Sequence, residues 1–302
     1  MVFWGPRSAR SRAWPCRFPV RETPKTLGKV ILTTTATRAP LPGPQETHGP
    51  VSGLAYRQYE KRLLAEIQAS EVPKHVAVIM DGNRRFAESL GLNPMDGHVY
   101  GREKLEELLN WCLELGIKIL TVYAFSTENL RRRPEEVQLL MRMFEENFRK
   151  LADDPRVRQH GIRVKVIGQL SLLEPQVQEA IAYAMDRTKG NSNYLLNLAV
   201  AYGGRDEIMH AVRKVAEAAK DGSIRPEDVT EEVFARHLYT NGIPDPDLIL
   251  RTSGEERISN FLLWQNAYSE LYFADVYWPG MRKIDFLRAI RSYQQRHRRM
   301  GT

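Results

Sequence analysis

From about residue 54 onward, apolar runs alternate with amphipathic segments, which predicts an α/β fold: a single domain with a central, mainly parallel β-sheet flanked by helices. Three observations carry the prediction. Five short runs, 75–80, 117–125, 162–168, 194–202 and 248–252, are apolar nearly throughout, as strands covered on both faces are. Segments of helical period lie between and after them, at 99–115, 134–152, 174–189, 206–220, 231–239 and 284–299. Pro134, Pro175 and Asp206 stand where the N-terminal signals of helices belong.

Residues 1–50 are unlike the rest. They hold eight Lys and Arg against two Glu, so they account for six of the chain's seven net positive charges. They are rich in Arg, Ser, Thr and Pro, carry no acidic residue before Glu22 and sustain no apolar period. Three readings stand: an organellar transit peptide, a disordered tail, or a start placed too far upstream, the next Met being Met80. In each, 1–53 is an extension and 54–302 is the folded domain. That domain is almost neutral, so it has no polyanion footprint and does not read as a nucleic-acid binder. No run of 18 apolar residues offers a membrane span. Cys16 and Cys112 are far apart and give neither a disulfide framework nor metal spacing, so a reducing cytosolic compartment is the default.

The elements follow in order. Leu54, Tyr56, Tyr59, Leu63, Leu64 and Ile67 give a first helix an apolar face, and Pro73 stops it. The run 75–80 ends in Asp81-Gly-Asn-Arg-Arg85, and 117–125 ends in Ser126-Thr-Glu-Asn129 followed by Arg131-Arg-Arg133. The run 194–202 ends in Gly203-Gly-Arg205, and 248–252 leads through Ser253-Gly-Glu-Glu-Arg257 to Ser259. Taken singly each has a plain structural reading. Asp-Gly is a common turn, Ser126 and Asn129 suit helix caps, the glycine pair suits a strand-to-helix turn, and a lone His98 packs or caps. Their joint placement matters, because an open parallel sheet binds ligands beyond the carboxyl ends of its strands. Guanidinium groups and backbone N–H groups at loop-to-helix starts hold phosphate oxygens. A carboxylate such as Asp81 joins a diphosphate only through a cation, and Mg²⁺ is the hard cation that suits, with Glu270 as a second carboxylate. The apolar stretch 261–264 offers a wall for a greasy substrate.

These residues carry a family resemblance. Segments 75–86 (HVAVIMDGNRRF), 123–129 (YAFSTEN), 197–205 (NLAVAYGGR), 250–252 with 254–265 (LRT, GEERISNFLLWQ) and 268–273 (YSELYF) resemble the cis-prenyltransferases, which include undecaprenyl and dehydrodolichyl diphosphate synthases. Gly97-His98 with Gly101 and Lys104 looks closer to archaeal and eukaryotic members than to bacterial ones. The resemblance implies a Mg²⁺-dependent enzyme that condenses isopentenyl diphosphate with an allylic diphosphate, farnesyl or geranylgeranyl, to give a glycosyl carrier lipid precursor. It also implies an apolar substrate tunnel. Asp81 would hold Mg²⁺ with Glu270. Gly82, Asn83, Arg84, Arg85 and Phe86 would cradle the allylic diphosphate with His98 beside them. Ser126, Thr127, Glu128 and Leu130 would wall the substrate, and Arg132, Arg251, Arg257, Ile258 and Ser259 would bind isopentenyl diphosphate. Asn129 matches the position assigned as proton acceptor. An amide is a poor base, so its expected part is to position a phosphate oxygen or water. Arg299 and Gly301 match a tail that reaches a neighbouring subunit, which implies a homodimer.

Departures are few. Phe86 and Leu130 replace Trp residues of bacterial members, Glu256 stands where some have a metal-touching His, and Pro94 lies near a missing Arg. A trans-type synthase is excluded, since Asp153-Asp154 runs into Pro-Arg-Val rather than a DDxxD motif. A non-catalytic partner subunit would lack Asp81, and a plain phosphate-binding hydrolase would form no C–C bond. Small Ala124 and bulky Tyr194 are the expected wall and floor of the tunnel, giving a medium-to-long product. Such a product implies loose contact with a membrane surface.

Overall fold

The protein is described from a computed structural model covering residues 50–297; the basic segment before it and the Arg299–Gly301 tail lie outside the described residues. The first helix, α1 (Pro50–Gln68), starts a turn earlier than its apolar face announces. Then come β1 (His75–Ile79), α2 (Asn83–Ser89), α3 (Asp96–Leu115) and β2 (Ile119–Ser126). Next are α4 (Pro134–Asp153), α5 (Pro155–Gln159), β3 (Ile162–Ile167), α6 (Pro175–Thr188) and β4 (Tyr194–Tyr202). The chain continues with α7 (Gly204–Lys220), α8 (Glu231–Ala235), β5 (Leu248–Arg251), β6 (Glu270–Phe273) and α9 (Lys283–His297).

The five expected strands are present and a sixth joins them. Their order is β3-β4-β2-β1-β5-β6, with every pair parallel. From β1 the chain builds outward through β2 to one edge, then returns to place β5 on the other flank of β1. Loops leaving β1 and its neighbours therefore diverge and open a crevice at the carboxyl edge of the sheet.

Successive strand residues point to opposite faces, and this sorts the core into two layers. Val76, Val78, Leu120, Val122, Leu196, Leu198 and Leu250 pack under α3, α4, α6 and α9. Ala77, Ile79, Ala199, Tyr202 and Ile249 meet Phe261 and Leu262 from the segment after β5. Helix starts follow their signals where Pro supplies them: Pro134 and Pro175 open α4 and α6. Asp206 instead lies within the first turn of α7, which begins at Gly204 with acidic residues near its positive end. The stretch expected to be helical at 231–239 contains only the short α8.

Candidate active site

Asp81 and Arg251 are brought together by the pairing of β1 with β5. Ile79 lies opposite Arg251, so the residue two past β1 meets the end of β5. Thr252 fastens the junction: its hydroxyl accepts from Asp81 N at 2.9 Å and donates to Asp81 O at 2.7 Å. The Asp81 carboxylate then accepts from Arg251 Nη2 at 2.7 Å and from Arg85 Nη2 at 3.1 Å. Burial alone would raise the Asp81 pKa, but the two guanidinium groups outweigh it and hold the carboxyl below its usual range. Arg251 is buried, and its Nη1 donates to Ser259 Oγ at 2.7 Å and to the Arg257 carbonyl. Its Nε is buried with no hydrogen-bond partner among the described residues. Arg85 reaches Ser253 Oγ at 2.8 Å and Glu255 at 3.1 Å, and Glu255 also pairs with Arg257.

Gly82 caps α2 from the left-handed region, at φ 99°, and a side chain there would meet Tyr277 at 2.8 Å. The close approach of α3 to α2 depends on Gly97, where a Cβ would lie 2.0 Å from the Asn83 carbonyl. That approach brings His98 to the cleft beside a residue outside the expected set, Glu136. The Glu136 carboxylate is 3% exposed and accepts from Arg132 at 2.8 Å, His98 Nε2 at 3.1 Å and Arg84 at 3.4 Å. Burial opposes its charge, but these three donors prevail and lower its pKa. Burial pushes the His98 pKa down, so the imidazole is neutral near pH 7 and donates from Nε2.

At the end of β2, Ser126 and Asn129 form a capping box, with Asn129 Oδ1 accepting from Ser126 N at 3.1 Å. The plain capping role considered for these two is thus real, yet both still line the cleft. Asn260, at φ 63°, ties three segments: Nδ2 donates to Glu128 at 3.0 Å, Oδ1 accepts from Arg205 N at 2.9 Å, and its carbonyl accepts from Gly204 N at 2.7 Å.

The resulting cleft encloses about 920 Å³. Its walls include Asp81, Gly82, Asn83, Arg84, Arg85 and His98 from the first motif and α3. Ser126, Glu128, Asn129 and Arg132 line it from the β2 end, and Arg251, Arg257 and Ser259 from the β5 end. Beneath it, between α3, α4 and the strands β2 and β4, lies a mostly apolar cavity of about 130 Å³. Met80, Asn83, His98, Ala124 and Leu140 line both spaces, so the two lie against each other. The geometry suits a molecule with an anionic head and an apolar tail.

Several expected residues fall elsewhere. Phe86 packs edge-on against Tyr100, with ring centroids 6.1 Å apart, and Thr127 donates to Asp206 at 3.1 Å. Leu130 packs on the core, and the Ile258 carbonyl accepts from Phe261 N at 3.0 Å; none of these four lines the cleft. Glu270 does not join Asp81 within the chain. It opens β6 opposite Leu248, at the amino edge of the sheet, and accepts from Arg296 at 3.0 Å. Parallel strands place the first residue of β6 at the edge away from the loops that build the cleft. Among the described residues no three His, Cys, Asp or Glu group to hold a metal ion. Glu136 and Glu255 were missed; the signal for Glu136 was its spacing of four from Arg132.

Residues 79–301 match the family model described as "Putative undecaprenyl diphosphate synthase". A tritrans,polycis-undecaprenyl-diphosphate synthase (geranylgeranyl-diphosphate specific) of Methanocaldococcus jannaschii is 54% identical over 80% of this chain and 88% of its own length. A protein of the same description from Pyrococcus abyssi is 55% identical over 82% of this chain and 94% of its own. Among solved structures, a lavandulyl diphosphate synthase from Lavandula x intermedia, in complex with dimethylallyl diphosphate, superposes with a TM-score of 0.71. It is 40% identical and the match covers 74% of this chain and 95% of that one.

Proposed function

The chain belongs to the undecaprenyl diphosphate synthase family and is a cis-prenyltransferase, and on that premise we propose that it extends geranylgeranyl diphosphate with isopentenyl diphosphate to a cis-polyprenyl diphosphate, the precursor of a glycosyl carrier lipid. The observation that carries this reading is the placement of an apolar cavity directly beneath an arginine-lined cleft. The archaeal relatives named for geranylgeranyl diphosphate support the choice of primer.

In this reading the arginines change partners on binding. Arg84, Arg85, Arg132, Arg251 and Arg257 are paired with carboxylates in the free chain, and diphosphate oxygens take over part of that pairing. Arg251 Nε, buried with no partner among the described residues, is a donor for such an oxygen. The site fits Mg²⁺ held by Asp81 and diphosphate oxygens, the arrangement in which that ion needs only one or two carboxylates. When bound, it would neutralise negative charge growing on the leaving diphosphate. Arg85 and Arg251 act on the same charge as the allylic C1–O bond breaks and its electron pair leaves with diphosphate. The isopentenyl double bond attacks C1, and a proton is lost to leave the new cis double bond. Asn129, held by Ser126, orients the group that takes that proton, a phosphate oxygen or water.

The cavity under Ala124 is the entrance of the tunnel for the growing chain. A homodimer belongs to the same reading, with the Arg299–Gly301 tail serving a neighbouring copy. The folded unit begins with α1 at Pro50, a few residues before the expected boundary at 54, and the residues ahead of it are an extension. No described helix is long and apolar enough to cross a membrane. We place the enzyme in the cytoplasm, with its product drawing it to a membrane surface. The test is incubation with labelled isopentenyl diphosphate, Mg²⁺ and either farnesyl or geranylgeranyl diphosphate, followed by sizing of the product. Labelled polyprenyl product, greater from geranylgeranyl diphosphate, is the expected result; phosphate release without chain extension overturns the reading.

A further inference from the structure

The loop that follows β5 is fastened at its two ends by different means. At its start Ser253 N donates to the Val276 carbonyl at 2.7 Å and Gly254 N to the Ala274 carbonyl at 3.0 Å. At its end the chain enters the core with Phe261, which is fully buried and stacks on Tyr123 with ring centroids 4.6 Å apart. One residue, Asn260, stands between Phe261 and the exposed Ser259. Ser259, Asn260 and Leu262 lie at positive φ, 46°, 63° and 46°, a conformation that is costly outside glycine and persists only where surrounding contacts impose it. Asn260 makes such contacts to two other strand ends. Its Nδ2 donates to Glu128 after β2 at 3.0 Å, while Oδ1 accepts from Arg205 N at 2.9 Å and the carbonyl from Gly204 N at 2.7 Å, both after β4. The glycine pair leaves room for them: a Cβ on Gly203 would lie 2.9 Å from Asn260 Nδ2, and one on Gly204 3.1 Å from the Asn260 carbonyl oxygen.

Phe261 fixes where the chain leaves the core but not the direction in which Ser259 points. The other contacts of Ser259 are the bond from Arg251 Nη1 to its Oγ at 2.7 Å and a long one from the Tyr123 hydroxyl to its carbonyl at 3.4 Å. A diphosphate that draws on Arg251, Arg257 and Ser259 competes for the first of these, so the loop needs a hold that the substrate does not disturb. We propose that Asn260 is the positioning residue of the isopentenyl diphosphate half of the cleft: by tying the end of the β5 loop to the ends of β2 and β4, it keeps Ser259 and Arg257 beside Arg251. The proposal rests on the reading that these three residues bind isopentenyl diphosphate. The allylic half is built on α2 and α3 and on the start of the loop, where Ser253 has its own backbone anchor. Loss of Asn260 should therefore weaken one substrate and spare the other.

The test is steady-state kinetics with each substrate varied in turn, on the wild type, Asn260→Asp and Asn260→Gly. Asp keeps the shape, the tolerance of positive φ and the acceptor for Arg205 N, but sets a carboxylate against Glu128 where an N–H donated. Gly frees the backbone and removes both side-chain bonds. Each variant should raise KM for isopentenyl diphosphate about tenfold, the scale of losing a hydrogen bond to a charged group, and leave KM for geranylgeranyl diphosphate within about twofold. A loss of folded protein lowers the amount of active enzyme, and so kcat, without splitting the two KM values. In a Glu128→Gln background the new amide donates to the new carboxylate, so the effect of Asn260→Asp on KM for isopentenyl diphosphate should shrink to about twofold. An equal rise in both KM values, an unchanged KM for isopentenyl diphosphate in Asn260→Gly, or an undiminished effect of Asn260→Asp in the Glu128→Gln background overturns the proposal. Wild-type protein that makes no condensation product overturns the underlying reading instead.

Discussion

The two ends of β1 show two uses of polar side chains. At the amino end His75 is buried; its Nδ1 donates to the Pro244 carbonyl at 2.7 Å and its Nε2 accepts from Thr121 Oγ1 at 2.7 Å. Asn197 donates to the same hydroxyl at 3.2 Å, and Asp247 accepts from the backbone N–H of Lys74 and His75 at 2.7 and 2.9 Å. These contacts link β1, β2, β4 and the approach to β5, and they use up the polar atoms of His75. Two residues beyond the carboxyl end, Asp81 sits among guanidinium groups whose bonds are charge pairs at a cleft wall. A diphosphate can replace the carboxylates in such pairs; it cannot replace a His–Thr bond inside a sheet. The sheet is thus fastened at one edge and left exchangeable at the other.

The sharpest way to break this comparison is to alter each end and ask which property moves. Asp81→Ala should lower the rate of condensation by about a thousandfold, the scale of losing a preorganised electrostatic group. Its melting temperature should fall as well, since the buried Arg251 loses its carboxylate partner, so the rate is compared with Asp81→Asn, which keeps a side-chain acceptor for Arg251, at a temperature where both variants are folded. A variant that condenses at near wild-type rate would remove the role given to the carboxyl end.

The amino end should answer in stability and in pH. Burial pushes the His75 pKa down to about 4, against about 6.5 in an unfolded chain. Between those values the unfolded state binds a proton that the folded state refuses. Stability should therefore fall as pH drops from about 6.5 to about 4 and level off below, by about 3 kcal/mol in total. Urea unfolding at several pH values measures it. Other groups titrate in the same window, so the difference between wild type and His75→Gln isolates this one. The variant should lose that part of the slope while keeping its KM for both diphosphates.

Legibility in the sequence follows the same division. Five strands were readable because residues covered on both faces form apolar runs, and Asp81, Arg251 and Ser126 were readable because they end such runs. β6 has four half-buried residues, ELYF, with no run to announce them, so the edge occupied by Glu270 could not be foreseen. The seven-residue α2 starts inside the very motif that suggested a loop, and only Gly82 at positive φ makes that start feasible. Glu136 looked like one of two ordinary acidic residues in the first turn of α4. Its role appears only when α2 and α3 bring Arg84 and His98 to it.

Glu136 gives a smaller and more specific test. It holds three donors at the cleft, so Glu136→Gln should leave them present but less firmly placed. The expected result is a rise of about tenfold in KM for the allylic diphosphate, or about 1.4 kcal/mol, with kcat changed less. Steady-state kinetics at fixed isopentenyl diphosphate decides it. An equal loss in kcat at unchanged KM would show that Glu136 acts on the reaction and not on placement.

The smallest expected effect concerns Tyr194, which the sequence suggested as the tunnel floor, so that Tyr194→Ala would lengthen the product. In the structure Tyr194 begins β4, with Lys118 Nζ 4.5 Å from its ring centroid, and does not line the cavity beneath the cleft. Leu109 and Leu196 border that cavity on one side and the small space at Tyr194 on the other. Removing the ring enlarges a space that the tail reaches only after displacing those two leucines. Tyr194→Ala should therefore leave the product ladder as it is, while Leu109→Ala, which opens the partition, should lengthen it. A longer ladder from Tyr194→Ala alone would mean that the partition yields to the tail and that the floor lies at the amino edge, bringing the fastened end of the sheet into the chemistry of the open one.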